Sequence, residues 1–181
     1  MEMSFYLLIA FISTVFPEIN HSVFEDQIIY QNSEKVLQIN FLEEPEVFTD
    51  SFQLDNQKVD VAISMANTGS GAFASFELKL GTLKNSIEQE KEEFLKGFVS
   101  SIMYDLGTEV EQFNSYSYES YSGIDFIISV PKSNPVDDKL AKGRALIIGD
   151  VAYMWFAMVE GNNSEKEVGH FLNSFSVKNG E

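Results

Sequence analysis

Gly143-Arg144-Ala145-Leu146-Ile147-Ile148-Gly149-Asp150-Val151-Ala152-Tyr153-Met154-Trp155-Phe156 is the stretch whose reading decides the fold. Two apolar runs flank a Gly-Asp pair. That arrangement predicts a hairpin with a two-residue type II′ turn, whose first central residue needs a positive φ. The strands are expected at Leu140 to Ile148 and Val151 to Val159. In the second strand Tyr153, Trp155 and Ala157 share one face, and Met154, Phe156 and Met158 share the other. A strand apolar on both faces is covered on both sides. Downstream, Ser164 and Glu167 have the spacing of a capping box and open a short helix. Phe171 to Phe175 then reads as a segment that docks back on the sheet.

Upstream, Ile28-Ile29-Tyr30 is a small apolar cluster, and Val36, Leu37, Ile39 and Phe41 form a short strand ending at Glu43-Glu44-Pro45. Phe48, Phe52 and Leu54 suggest another strand. Val59, Val61, Ile63 and Met65 alternate with Asp60, Ala62 and Ser64, the period-2 pattern of a half-buried strand. After a turn at Gly69-Ser70-Gly71, residues 73–80 alternate again. Ile87, Phe94, Leu95, Phe98, Ile102, Met103 and Leu106 fall at helical spacings. The spacing predicts a helix over 86–106, packed through Phe94, Phe98 and Ile102, with Gly107 as its C′ residue. Its acidic run, Glu88 to Glu93, reads as a solvated face near the positive end of the helix dipole. A polar strand (108–121), an apolar strand (123–130) and a loop from Pro131 to Asp138 complete the order.

The chain has 181 residues, enough for one domain, and its 44% hydrophobic and 13% aromatic content supports one sizeable core. A formal charge of −16 opposes nucleic acid and anionic lipid, and favours a basic protein partner. The absence of cysteine excludes disulfides, thiolate metal sites and a cysteine nucleophile. Phe5 to Phe16 has the length of a signal-peptide apolar core and is too short to span a bilayer, although no Lys or Arg precedes it. Residues 1–20 are therefore expected to be a signal peptide or a disordered N-terminus, ahead of a single domain over 22–178. The mature chain is expected to carry no membrane span. The location implied is periplasmic or secreted, with a cytoplasmic location as the alternative.

Chemistry leaves few marks on this chain. His21 and His170 are far apart, with no second histidine at helical spacing from either. Ser129 and Lys132 match Ser-x-x-Lys only with a proline between them, which breaks the helix that chemistry requires. Glu43-Glu44 and Asp137-Asp138 are adjacent carboxylates, too few oxygens for a calcium site. Asn20-His21-Ser22 and Asn162-Asn163-Ser164 match the glycosylation pattern. Tyr116, Tyr118 and Tyr121 carry the best recognition signal. Tyr116 and Tyr118 share one strand face among serines and Glu119, the composition of a contact surface. The same face packed under a helix, with hydroxyls at its rim, is the competing reading.

The order of elements resembles the PsbP-like fold. The carrying residues are Val36 to Pro45, with Phe41-Leu42-Glu43-Glu44-Pro45 in place of the family's Phe-Pro-x-x-Pro, then Gly143-Arg144, Gly149, Tyr153 and Phe171 to Phe175. The resemblance implies an α+β fold, a central antiparallel sheet sandwiched by helices. It also implies a noncatalytic habit. The expectation is an exported binding or assembly protein with no cofactor and no metal. It would contact a protein, of basic character, through a sheet edge or the tyrosine strand. The alternative is a small-ligand binder or hydrolase-type enzyme using a carboxylate-lined cleft.

Overall fold

The computed structural model describes residues 28–31, 37–54, 57–81, 83–129, 139–161 and 164–177. The expected signal segment (1–20), His21, the first glycosylation pattern, the Pro131 to Asp138 loop with Asp137-Asp138 and Lys132, and Asn162-Asn163 all lie outside the described residues.

In chain order the strands are β1 (Ile28–Gln31), β2 (Leu37–Phe41), β3 (Glu46–Leu54), β4 (Gln57–Thr68) and β5 (Gly71–Lys79). A 3-10 turn at Leu83–Asn85 leads to helix α1 (Glu88–Asp105). Then come β6 (Glu109–Tyr118), β7 (Tyr121–Ser129), β8 (Lys139–Ile148), β9 (Val151–Glu160), helix α2 (Ser164–Asn173) and β10 (Ser176–Val177). Seven strands form one antiparallel sheet in the order β3-β4-β5-β9-β8-β7-β6, and β1-β2-β10 form a second, three-stranded one.

The hairpin at the centre is the one read from the sequence. Ile148 pairs with Val151, leaving Gly149-Asp150 as a two-residue turn. Gly149 has φ +63° and Asp150 does not have a positive φ, the type II′ pattern. Strand β9 is the middle strand of the seven, and its alternation splits the core in two. Ala152, Met154 and Phe156 face one cluster with Phe76, Phe126, Leu95 and Met103. Tyr153, Trp155, Ala157 and Val159 face the other, with Phe41, Phe73, Phe171 and Phe175. Gly143 is required by packing. A Cβ there would lie 2.2 Å from the Phe126 ring and 2.6 Å from the Phe156 Cβ.

Helix α1 covers the first face over β6, β7 and β8. It buries Leu95, Val99, Ile102 and Met103. Phe94 and Phe98, expected at the centre of this seam, are instead partly buried at its margin and stack on each other at 6.1 Å. The seam follows 95, 99, 102 and 103: Ile102 packs as expected, Leu95 and Met103 belong to the predicted apolar set, and Val99 takes the central place expected of Phe94 and Phe98. At the start of the helix the Ile87 N–H donates to the Glu90 carboxylate. The helix ends in a Schellman arrangement: Gly107 (φ +73°) donates to the Tyr104 carbonyl and Thr108 to the Met103 carbonyl. The acidic run is exposed and paired along the helix, Lys91 to Glu88 at 2.9 Å and Lys96 to Glu92 at 2.6 Å. Such exposed pairs add only about 0.3–0.5 kcal/mol each.

The expected sheet sandwiched by helices is overturned. Among the described residues ten strands stand against two α-helices, so the fold is predominantly β. The reason lies in how the second face is covered. Leu37, Ile39 and Phe41 alternate along β2, and each is at most 1% exposed. With Tyr30 and Val177 they place the three-stranded sheet over the second core cluster. Helix α2 supplies only the remainder of that cover, over β8 and β9. It begins at Ser164 itself rather than after it.

Candidate functional site

The tyrosine strand is β6, an edge strand of the large sheet. Tyr116 and Tyr118 face the second core cluster and pack against it. The Tyr116 ring meets Trp155 edge-on at 6.3 Å. The Tyr118 ring meets Phe175 at 5.3 Å, and its hydroxyl accepts the Val177 N–H at 3.3 Å. Tyr121 stands opposite Tyr118 across the β6–β7 turn and is half-buried. The structure thus gathers the three residues at one corner, where the Tyr118 ring holds the C-terminal segment and the Tyr116 ring packs on Trp155. Burial raises the Tyr116 pKa above its ordinary value, partly offset by the nearby Arg144 charge.

Arg144 joins the two ends of this arrangement. Its Nε donates to Asp125 Oδ1 at 2.9 Å. Its Nη1 donates to the Leu172 carbonyl at 3.0 Å and to Asn173 Oδ1 at 2.8 Å. The guanidinium also lies 4.5 Å from the Tyr116 ring centroid, within cation–π range. The Trp155 indole N–H donates to the same Leu172 carbonyl at 3.1 Å. These donors satisfy carbonyl and amide oxygens at the C-terminus of α2, where a cation also suits the helix dipole. Phe175, just past that end, stacks on Trp155 at 4.0 Å with the rings 7° apart. Ser174 Oγ donates to the Phe171 carbonyl and accepts the Asn40 N–H. Gly143-Arg144 and Phe171 to Phe175 are therefore one contact, although 28 residues separate Arg144 from Leu172.

Beside this contact a groove of about 450 Å³ runs between β7, β8 and α2. Ile127, Leu140, Val168 and Leu172 give it apolar walls, and Asn114, Asp125, Lys142, Arg144 and Glu165 give it polar ones. It is the sheet-to-helix cleft that a ligand-binding reading calls for, but its lining is mixed in charge. One of its two carboxylates, Asp125, is held by Arg144. The Lys142 ammonium makes no hydrogen bond or ion pair to a described residue. The sequence reading missed this lysine. The available signal was a cation set two residues before Arg144, hence on the same strand face.

The other edge of the large sheet is open. Residues Glu46 to Asp50 of β3 are all exposed, Val47 at 51% and Phe48 at 46%. The β3–β4 register runs without a break from Glu46↔Met65 to Leu54↔Gln57. The β6 edge, in contrast, carries an irregularity between Val110 and Gln112. Every charge among the described side chains of β3 and the corner before it is acidic: Glu43, Glu44, Glu46 and Asp50. His170 is exposed on α2. Among the described residues no group of three or more His, Asp or Glu side chains could hold a metal ion. No helix among them is long and apolar enough to cross a membrane.

No protein-family model, no curated protein and no solved structure matches the chain.

Proposed function

We propose that this chain is a noncatalytic binding domain that takes up an extended segment of a partner protein along β3. The observation that carries this reading is the run of five exposed residues on an unbulged edge strand. Such an edge presents a row of unpaired N–H and C=O groups, a template for one more strand. Folded proteins usually blunt this template with lysine, proline or a bulge. Strand β3 has no lysine, no proline and no break in register. Val47 and Phe48 point to opposite faces and give an incoming strand apolar contacts on both. Glu46, Asp50 and the preceding Glu43-Glu44 suit a partner that alternates basic and apolar residues. The noncatalytic part rests on how the polar groups near the groove are used. Arg144, Asp125 and Trp155 are engaged in holding α2.

The test is fluorescence anisotropy with a labelled nine-residue peptide alternating Lys and Val, and with a Glu–Val counterpart. Only the basic peptide should bind, and its affinity should fall as salt rises, because exposed charges are screened. The double substitution Val47→Lys, Phe48→Lys should lose at least about tenfold in affinity while the fold persists, each factor of ten being about 1.4 kcal/mol. Equal binding of the acidic peptide, or an unchanged double variant, refutes the reading.

A further inference from the structure

We propose that the groove between β7, β8 and α2 binds an amphipathic monoanion, a carboxylate on a short apolar chain. This goes beyond the edge-strand reading and stands on different residues. Lys142 is the starting point. It is half-buried and lines the groove, and no described carboxylate pairs with its ammonium. The nearest arginine on its strand face, Arg144, is committed to Asp125 and to the end of α2. The cross-strand register sets Lys142 between Ile127 and Ala157, so its ammonium emerges from apolar ground. A half-dehydrated ammonium over such ground gains most from an anion that brings its own apolar surface.

The rest of the groove matches that ligand. Ile127, Leu140, Val168 and Leu172 supply apolar walls for a chain. Asn114 accepts a hydrogen bond from Gln112 through Oδ1, which leaves its amide N–H groups able to donate to a carboxylate. The volume, about 450 Å³, lies in the ordinary range for small-ligand sites, about 300–1,000 Å³. Charge sets the limit on the headgroup. Asp125 and Glu165 also line the groove and repel a dianion such as a phosphate monoester about twice as strongly as a single carboxylate, and Arg144 offsets the Asp125 charge. The whole chain, at −16, repels anions at long range. The contact with Lys142 must therefore act at short range, and binding should depend on salt far less than it does at the β3 edge.

Decanoate, below its micelle-forming concentration, is the probe. Amide NMR titration of the full chain should show saturable shifts confined to residues near 125–127, 140–144 and 165–172. Decanol, with the same chain and no charge, should bind at least about tenfold more weakly. That factor is the scale of a hydrogen bond to a charged group. Lys142→Gln should lose about the same factor, and Lys142→Arg should retain most of the affinity. A lysine that merely extends its ammonium to solvent predicts otherwise: no saturable shift up to millimolar decanoate, or equal binding of decanol. Either result overturns the proposal, as does an unchanged Lys142→Gln variant. The decanoate–decanol comparison on the unsubstituted chain decides the matter even if a Lys142 variant fails to fold. Failure of the β3 peptide test leaves this result untouched, because the two sites share no residue.

Discussion

The two ends of the seven-stranded sheet solve the same problem in opposite ways. At the β6–β7–β8 end α1 covers one face of all three strands, and on the other face α2, held by Arg144 and Trp155, covers β8 and leaves the groove over β7. Its edge strand is interrupted by an irregularity at Val110/Gln112 and flanked by Glu109 and Glu111. At the β3–β4 end the outer strand pairs evenly along nine residues and leaves Glu46 to Asp50 exposed. Covering costs sequence, because each buried position needs an apolar partner. Leaving an edge open costs only the risk of unwanted pairing. The molecule concentrates its cover at one end, and its acidic groups at the other discourage self-pairing; under the function proposed above they would also favour a basic strand.

The largest expected effect contrasts two phenylalanines. Phe126, on β7, is 1% exposed within the first core cluster, whereas Phe48, on β3, is 46% exposed. Phe126→Ala should destabilise the fold by about 3–5 kcal/mol, the usual cost of emptying a buried aromatic site. Phe48→Ala should stay within about 0.5 kcal/mol, as surface changes generally do. Denaturant unfolding of the two variants measures both. Similar costs at the two positions would mean that the β3 end is packed as firmly as the other.

Between these extremes stands Gly143, at the covered end. An added Cβ would press on the Phe126 ring at 2.2 Å and on the Phe156 Cβ at 2.6 Å. Gly143→Ala should cost about 1–3 kcal/mol as an overpacking change. If the clash with Phe126 is the cause, Phe126→Leu should relieve part of it. The double variant should then be more stable than the sum of the two single costs allows. Strict additivity would place the cost of Gly143→Ala elsewhere.

Legibility in the sequence follows the same division. The hairpin at Gly149-Asp150, the two-sided burial of Val151 to Val159, helix α1 and its Gly107 end were readable, because each rests on local periodicity or on turn stereochemistry. The layer over the second face was not. Leu37, Ile39 and Phe41 show a strand, but nothing local says that the strand leaves the large sheet to pair with Ser176-Val177. That pairing spans the whole domain. Reading helices into the missing layer gave the wrong architecture. The meeting of Gly143-Arg144 with Phe171 to Phe175 was likewise invisible as a contact, although both motifs stood out singly. Tyr116, Tyr118 and Tyr121 were marked by composition, which shows a ring and a hydroxyl but not the direction of the strand face. Lys142 and the open edge of β3 depend on strand order, which no short window contains.

The smallest expected effect is a pH dependence confined to the covered end and the layer above it. Burial raises the Tyr116 pKa above 10.0, with the Arg144 charge opposing in part. Burial raises that of Tyr30 as well, a residue of the three-stranded sheet, against a hydrogen bond from Ser64. A phenol whose folded pKa is raised binds its proton more tightly when folded than when unfolded. Its neutral form therefore favours the fold, fully so below the unfolded value near 10, and that contribution is lost as pH climbs through the folded value. Stability should be flat through neutral pH and fall on the alkaline side of about 10. Tyr116→Phe cannot ionise and should make that fall shallower without abolishing it, because Tyr30 still titrates. No tyrosine lies on β3, β4 or β5, so among these strands only Ser64 and Glu77 act on the alkaline limb through a tyrosine, by way of Tyr30. Urea unfolding of both proteins at pH 8 and above pH 10 reads the difference. An alkaline limb equally steep in Tyr116→Phe would show that the Tyr116 hydroxyl is as well solvated in the fold as in the unfolded chain, and that the covered end is wetter than its contacts imply.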